Sequence, residues 1–539
     1  MLSYRKLAMR VLGRPLHTGG IDSPRPASQR AAAFILTAVM LTTLAAPAFA
    51  GTWSIENGDI TVKAGETGND VTQNNVTTKN DTDTIITNSD KDTASSHTVT
   101  IETNDKNDKV EVTLDNVNIK ADSGSALTSK GDVTLTLKGD NSLTGGNGGS
   151  GISSSGSLTI SGGENNSLTA QGGSGSGIFS SGGVTISGGT VNATGGTGGT
   201  GENSNGGSGI YIYSSSGSLT VSGGTVTANG GSGGGNGGDG ISSTNTTISG
   251  GSTVTANGGN GGSLVGGDGI RSGGGLTVSD GTVTAKGGNG DSKDGYGGDG
   301  IRSGGVVTIS GNTVNAAGGY GGKVGGYGIC SFDRVAISGG TVEAAGGNGS
   351  TGGGSGIYSS VIDLSGSLEL TAKAGSPNGK ALSQNGSELV LDTIKDKLGP
   401  GAKVTATDAD GKVIDQVSTP RPVEPEESSS SSDGGSSAPS APASPLPGLT
   451  VTDKDGQRIS YTSTQSGNTL TVCVGRLTAS FRISLAALRQ LRAEGIETIA
   501  FQTVLCSTTL SVDELLAMGG EDAEAVLTHR FTDSSLTVG

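Results

Sequence analysis

Three aspartates in the middle of the chain could hold a metal ion. Gly-Ile pairs recur there, and the residue before the glycine is an aspartate in three consecutive cases, Asp239, Asp268 and Asp299. Carboxylates one repeat apart, together with carbonyl oxygens of glycine-rich loops, are the ligands that Ca²⁺ prefers. The column therefore predicts either a calcium site or a solvated ladder, in which Arg271 and Arg302 balance the like charges.

A second column, the residue after each isoleucine, contains aromatic side chains. Phe179 and Tyr211 are neighbours in it, Tyr213 lies two residues beyond Tyr211, and Tyr358 stands near its end. An exposed aromatic ring offers a flat apolar face with a polar tip, which suits a sugar ring. The column predicts a carbohydrate-binding surface, and the alternative is that the rings only shield the sheet.

Few residues could support catalysis. The histidines are His17, His97 and His529, too scattered for a histidine-based triad or a zinc site. A polysaccharide lyase, with calcium at the aspartates and an arginine as base, is the alternative enzyme hypothesis, and its candidates are Asp268, Asp299, Arg271 and Arg302. These residues repeat with the coil, whereas a catalytic centre needs different groups that converge.

The Gly-Ile pairs lie at spacings of 26, 32, 31, 29, 31, 28 and 28 residues, which is the period of a stacked repeat. Each repeat contains three short alternating apolar runs separated by glycine or serine corners, so each predicts a coil of three strands. The fold predicted is an all-β, right-handed parallel β-helix of about 25–32 residues per coil. One inward column is Val191, Val226, Val254, Val283, Val314 and Val342, with an alanine two residues after each.

Glycine runs separate the third strand from the next Gly-Ile pair. Fourteen residues lie between Ala193 and Ser208, but ten lie between Ala228 and Asp239. Because the length of the chain varies here, these glycine excursions are predicted to tolerate insertions, whereas the valine columns are not.

The chain divides into five predicted segments. Residues 1–50 are typical of a signal peptide, with six Arg or Lys, an apolar run and an Ala-Phe-Ala cleavage site; an uncleaved anchor is the alternative. A cap (51–97), the β-helix (98–418) and a Pro/Ser/Glu-rich linker (419–448) follow. Residues 449–539 are predicted to form a small α+β module, with Ser484 and Ser511 as helix N-caps.

Composition narrows the class of partner. The chain has 101 glycines and 31% hydrophobic residues, which fits a thin stacked core rather than one round core. Its formal net charge of −15 argues against nucleic acid as a partner.

After signal removal the protein is predicted to be secreted or attached to the cell surface, without membrane insertion. Cys473 and Cys506 could pair, which leaves Cys330 over.

The irregular coils from Thr98 to Gly146, followed by the G-I, LTISGG and TVTAxGG phrases, resemble a secreted carbohydrate-binding-domain family of Gram-positive anaerobes. The likeness covers roughly residues 51 to 415. It implies a β-helix similar to polysaccharide lyases that binds cellulose-like or pectin-like polymers, with calcium. The prediction is thus a non-catalytic polysaccharide-binding protein, and the alternatives are a pectate-type lyase and a structural adhesin or stalk.

Overall fold

The computed structural model describes residues 50–103, 108–291, 293–311, 313–420, 448–452, 458–459, 461–466, 468–474, 479–503, 507–519, 523–529 and 534–538. The chain forms two compact units, Met1–Glu426 and Glu427–Gly539, and each is described by itself. The predicted signal peptide, almost all of the predicted linker, and Cys506 lie outside the described residues. No helix in the described ranges is long and apolar enough to cross a membrane.

The first unit is a parallel β-solenoid of about 13 turns, which confirms the predicted fold class. Of the residues that the structure describes, 51% are in strands and 6% in helices. A typical coil has three strands, and each strand pairs in parallel with its counterpart one coil away. We call the three resulting surfaces the first-strand, second-strand and third-strand faces.

The first strands of the coils, which begin at the Gly-Ile pairs in the regular region, are Ile60–Ala64, Val99–Glu102, Leu127–Lys130, Ile152–Ser154, Ile178–Ser180, Ile210–Ile212, Ile241–Ser243, Ile270–Ser272, Ile301–Ser303, Ile329–Ile337, Ile357–Leu364 and Leu382–Gln384. The second strands are Thr52–Ser54, Ile85–Thr87, Lys109–Asp115, Asp132–Lys138, Leu158–Gly162, Val184–Ile186, Ser218–Val221, Asn245–Ile248, Leu276–Val278 and Val307–Ile309, after which one long strand serves both faces. The third strands are Asn118–Lys120, Asp140–Thr144, Ser167–Gln171, Thr190–Thr194, Thr225–Asn229, Thr253–Asn257, Thr282–Lys286, Thr313–Ala317, Gly340–Ala345, Leu368–Lys373 and Lys403–Thr407.

The core is a thin column of small aliphatic side chains between the three faces. Val254 and Ala256 are fully buried, and they pair in register with the same residue types one coil before and one coil after. Thr253 and Thr255, which alternate with them, lie on the outer side. Side chains thus alternate between the core and the outer side with a period of two, which confirms that the valine and alanine column faces inward.

Buried serines satisfy the backbone at the corner between the first and second strands. Ser303 Oγ donates to the carbonyl oxygen of Gly274 at 2.8 Å, and Ser331 Oγ lies 2.8 Å from that of Gly305. Because a buried carbonyl without a donor is costly, these hydroxyl groups stabilise the corner where the sheet hydrogen bonding is interrupted.

The glycine excursions are stacked in register rather than independent loops. In each, two glycine-rich legs run out and back, and the legs hydrogen-bond alternately along the solenoid. The Gly259 N–H donates to the Gly238 carbonyl oxygen, Gly267 N–H to Gly259, and Gly288 N–H to Gly267, each at 2.8 Å. We call this arrangement the glycine stack; it comprises residues 195–207, 230–238, 258–267, 287–298, 318–326 and 346–354.

Close approach of backbones explains why the stack needs glycine. A Cβ on Gly258 would lie 1.9 Å from the Gly267 carbonyl oxygen, and one on Gly259 would lie 2.1 Å from that of Gly231. The third residue of this G-G-x phrase, Asn260, is exposed. In this three-residue phrase the two glycines pack against neighbouring backbones, and the third position accepts a side chain. The glycines serve packing here, since their φ angles are not positive.

Antiparallel strands cover both ends of the solenoid. At the start, Asn69–Gln73 pairs with Ile60–Ala64, and Val76–Asp81 pairs with Asn69–Gln73. A 3-10 turn, Ile55–Asn57, buries Ile55 beneath them. At the end, Val413–Ser418 pairs with Lys403–Thr407, Ser387–Glu388 pairs with Leu382–Gln384, and a 3-10 segment spans Leu391–Lys397. Such caps satisfy edges that a bare terminal coil would expose.

The described residues of the second unit form two four-stranded sheets and two helices. One sheet consists of Leu449–Thr452, Ala479–Ser484, Glu524–His529 and Ser534–Val538, and the other of Thr462–Ser466, Thr469–Cys473, Thr498–Gln502 and Ser507–Ser511. Helix α1 (Leu485–Ala493) and helix α2 (Val512–Met518) begin at Ser484 and Ser511, whose side chains accept from Ala487 N and Glu514 N. The two predicted N-caps are thereby confirmed.

Candidate functional site

Three of the predicted aromatic residues form one cluster on the first-strand face. Phe179 and Tyr211 pair in register on adjacent coils, and their ring centroids lie 5.8 Å apart at an interplanar angle of 56°. Tyr213, two residues along the same chain, lies 6.0 Å from Tyr211 at 50°. Phe179 and Tyr211 are half-buried, whereas Tyr213 is 67% exposed. The rings thus shield the sheet in part and leave Tyr213 open to a ligand.

A shallow depression of about 390 Å³ lies beside Tyr213. Its lining is Ile212, Tyr213, Ser214, Ser215, Ser242, Ser243 and Thr244. All of these except Ile212 carry a hydroxyl group. An apolar ring surrounded by short hydroxyl side chains is the composition that a polar, flat ligand such as a sugar ring requires.

Tyr358, the fourth predicted aromatic residue, lies apart from the cluster. We call the column formed by the residue after each Gly-Ile isoleucine the outward column. Tyr358 and Tyr211 are five coil steps apart in this column, which is about 24 Å at the usual strand spacing. Its ring stacks on that of Tyr327, with centroids 4.9 Å apart and planes at 20°. One face of Tyr358 is therefore already occupied by protein.

The aspartate column is a ladder of side chains bonded to the backbone. The Asp268 N–H donates to Asp239 Oδ1 at 2.8 Å, the Asp299 N–H to Asp268 Oδ1 at 2.8 Å, and the Tyr327 N–H to Asp299 Oδ1 at 2.7 Å. Asp268 is 6% exposed and Asp299 is 4% exposed. Each carboxylate thus joins its own coil to the next.

Burial raises the pKa values of all three carboxyl groups. For Asp268 the pKa is raised well above its usual range by burial and then by the charges of Asp299 and Asp239. Burial raises the pKa of Asp299 to about 6, opposed by the Tyr327 N–H and by Arg302. The pKa of Asp239 is raised by burial as well. Near neutral pH the ladder therefore carries less negative charge than three aspartates would in water.

The carboxylates as placed do not fit a calcium site. Ca²⁺ takes six to eight oxygen ligands, with carboxylates open to the ion. Here one oxygen of each aspartate accepts a backbone N–H, and Asp299 Oδ2 also accepts from Arg302 at 3.1 Å. Within the described ranges, no group of three or more His, Cys, Asp or Glu is arranged to hold a metal ion. We therefore assign the ladder a structural role.

Arg271 and Arg302 pair in register on the first-strand face but differ in their partners. The Arg302 guanidinium bonds to Asp299 and lies 5.1 Å from the centroid of the Phe332 ring. Arg271 is exposed and forms no ion pair with any residue that the structure describes. The four candidate lyase residues thus belong to two repeated columns, one of aspartates and one of arginines. The aspartates are buried and bonded to the backbone.

Two further residues, Phe332 and Cys330, affect the surface near the outward column. Phe332 is 55% exposed and extends the aromatic surface, but it lies three residues beyond Ile329 and so falls outside the repeated column. Cys330 lies in the column, between Arg302 and Tyr358, yet it is only 1% exposed. Burial, and then the charge of Asp299, raises the pKa of its thiol to about 12, so this cysteine is a packing residue.

Comparison of the chain with known protein families, with curated proteins and with solved structures gives no match. The fold and the geometry of the first-strand face are therefore the basis for any functional assignment. A β-solenoid is compatible with polysaccharide binding and with lyase-like proteins.

Proposed function

We propose that the solenoid is a non-catalytic polysaccharide-binding domain of an exported protein, and that the polymer lies along the first-strand face. The observation that carries the proposal is the depression beside Tyr213, where an exposed ring stands among serine and threonine hydroxyl groups. Tyr211, on the same coil as Tyr213, and Phe179, on the adjoining coil, continue the aromatic surface. The resemblance to secreted carbohydrate-binding solenoids supports the same class of ligand.

An extended polymer suits this surface better than a small molecule. The outward column repeats about every 4.8 Å along the solenoid, and the open depression provides contacts on one side only. Each stacked ring contributes on the order of 0.5–1.5 kcal/mol, by analogy with aromatic pairs. Single contacts are therefore weak, and affinity is expected to increase with polymer length through multivalency.

A retention assay on a panel of neutral and acidic polysaccharides tests the proposal. The triple variant Phe179→Ala, Tyr211→Ala, Tyr213→Ala is expected to lose retention of every polymer that the wild type binds. The matched control is the variant Tyr296→Ala, Tyr320→Ala, which removes two exposed rings from the glycine stack. Equal retention of the triple variant and the wild type would show that the ligand does not bind at this cluster.

The alternatives give different results in the same assay. A structural stalk would be retained by no polysaccharide in the panel. A lyase would produce unsaturated ends, which absorb in the ultraviolet, when it is incubated with an acidic polymer. The proposal expects retention without such absorbance.

A further inference from the structure

Arg271 is a cation on the proposed binding face, and it forms no ion pair or side-chain hydrogen bond with a residue that the structure describes. It is exposed, and it pairs in register with Ser242 on one side and Arg302 on the other. Its positive charge lowers the pKa values of the nearby Asp239 and Asp299, opposing the effect of burial. Each of these carboxylates accepts a hydrogen bond from the backbone of the next coil. The exposed guanidinium of Arg271 thus has hydrogen-bond donors available for an external group.

The charge at this position contrasts with that of the rest of the protein. The chain has a formal net charge of −15, yet the charged residues in the outward column from Ser153 to Ser383 are Arg271 and Arg302. An acidic protein repels anionic polymers in general, so an anion is expected to bind where an exposed arginine stands on the face and the nearby carboxyl groups are buried. Arg302 is already bonded to Asp299, which leaves Arg271 as the available contact.

Arg271 also has the correct position relative to the aromatic cluster. It lies two coil steps from Tyr211 in the same outward column, which is about 10 Å at the usual strand spacing. A polymer that stacks on Tyr211 and follows the column passes over Ser242 and then over Arg271. A guanidinium presents several donors in a plane, which match the oxygens of a carboxylate or a sulfate.

We propose that Arg271 determines the charge specificity of the site by binding an acidic group of the polysaccharide, without a metal ion. This inference rests on the proposed function and names the ligand class more closely, as an anionic polymer. It differs from the calcium-bridged binding that the sequence and the family resemblance lead one to expect. The aspartates that would hold the calcium instead link the coils.

Pairs of polymers that differ mainly in their acidic groups test whether Arg271 recognises such a group. Polygalacturonate is compared with its fully methyl-esterified form, and dextran sulfate with dextran, so that the carboxylate and the sulfate are tested separately. The wild type is expected to bind the acidic member of at least one pair more tightly, and Arg271→Gln to weaken that binding roughly fivefold. Binding of the neutral member is expected not to change, and the difference between the variants is expected to shrink at high salt.

Two variants control for effects other than recognition. Arg271→Lys keeps the charge and is expected to retain part of the preference. Lys286→Gln removes an exposed cation from the same coil, but on the third-strand face, and is expected to bind like the wild type. The melting temperature of each variant reports whether the solenoid stays folded.

The role of metal is tested by Asp239→Asn and by a chelator, each expected to leave binding unchanged. Loss of acidic-polymer binding on both treatments would establish a calcium site and overturn the proposal. Equal binding of the acidic and neutral polymers, or unchanged binding by Arg271→Gln, would overturn it as well. Failure of the wild type to bind any polymer would instead refute the proposed function, so the two failures are distinguishable.

Discussion

The Asp268 Oδ1 atom accepts a hydrogen bond from the backbone N–H of Asp299, 2.8 Å away and one coil further along the solenoid. The same link occurs in the glycine stack with amides instead of carboxylates. The Asn289 N–H donates to Asn260 Oδ1, and the Tyr320 N–H to Asn289 Oδ1, both at 2.9 Å. A side-chain oxygen on one coil that receives a backbone N–H from the next is thus a repeated device in this fold.

Asp268→Asn is expected to stabilise the solenoid at neutral pH. The amide can accept the same N–H without the cost of a buried charge between two other carboxylates. Because the carboxyl pKa values in the ladder are raised, the wild type loses stability as the pH rises from about 4, where the unfolded chain ionises, through about 6, the pKa of Asp299. The variant is therefore expected to have the higher melting temperature at pH 8, where the buried carboxyl group of the wild type is most strongly driven to ionise.

Thermal melts of wild type and Asp268→Asn at pH 8 and at pH 3.5 check this prediction. The difference is expected to become small at pH 3.5, where the ladder is protonated in the folded chain and mostly protonated in the unfolded chain. A variant that is less stable than the wild type at pH 8 would mean that Asp268 is held as a carboxylate by a bound cation.

Gly267→Ala is expected to destabilise the solenoid by about 3 kcal/mol, because its Cβ would lie 1.9 Å from the Gly238 carbonyl oxygen. Gly352→Ala is the matched control within the same stack, since its Cβ would contact only the Val324 side chain at 3.8 Å. That change is expected to shift the free energy of unfolding by less than about 1 kcal/mol. Chemical denaturation of both variants measures the contrast, and equal stability would indicate that the stack does not contribute to folding.

Val254→Asp and Thr255→Asp place the same charge on opposite sides of one strand. Val254 is fully buried, so its replacement is expected to cost about 4 kcal/mol or to prevent folding. Thr255 lies on the outer side, and its replacement is expected to cost less than about 1 kcal/mol. Circular dichroism melts of the two variants measure the difference. Similar losses would contradict the observed register.

The second unit is expected to respond to pH in the opposite sense. His529 is fully buried, Nε2 lies 2.9 Å from Thr508 Oγ1, and Nδ1 has no partner in the described residues. Burial lowers the pKa of His529, so this unit loses stability as the pH falls below about 6.5, where the unfolded histidine gains its proton first. Scanning calorimetry from pH 7.5 to 5 is expected to show one transition moving down, and His529→Gln is expected to reduce that shift.

Repeated side-chain types made the strands and their register predictable. Valine at one position and alanine two residues later specify which side faces the core, because strand side chains alternate. Parallel stacking then places like residues together, so that Phe179 and Tyr211 become neighbours, and Asp268 and Asp299 as well. For the same reason the prediction missed Phe332, which lies outside the repeated positions.

The glycine stack was not predicted because glycine has no side chain to mark an inner or outer face. The sequence indicated only that the length of the excursions varies, which is typical of loops. The hydrogen bonds between Gly259 and Gly238 and between Gly267 and Gly259 depend on backbone approach that no polarity pattern reveals. The aspartates were ambiguous for a similar reason, since a carboxylate column alone does not show whether its partner is a cation or a backbone N–H.

The alternating bonds of the glycine stack restrict how the gene for this protein can change in length. Each leg contacts the legs of the coils on both sides, so a partial duplication would leave one glycine leg without its counterpart. A recombination event that copies or deletes one whole repeat, here 26 to 32 residues, keeps a pair of glycine legs on both sides of the junction. The solenoid is therefore expected to gain or lose length during evolution in whole coils rather than in parts of a coil.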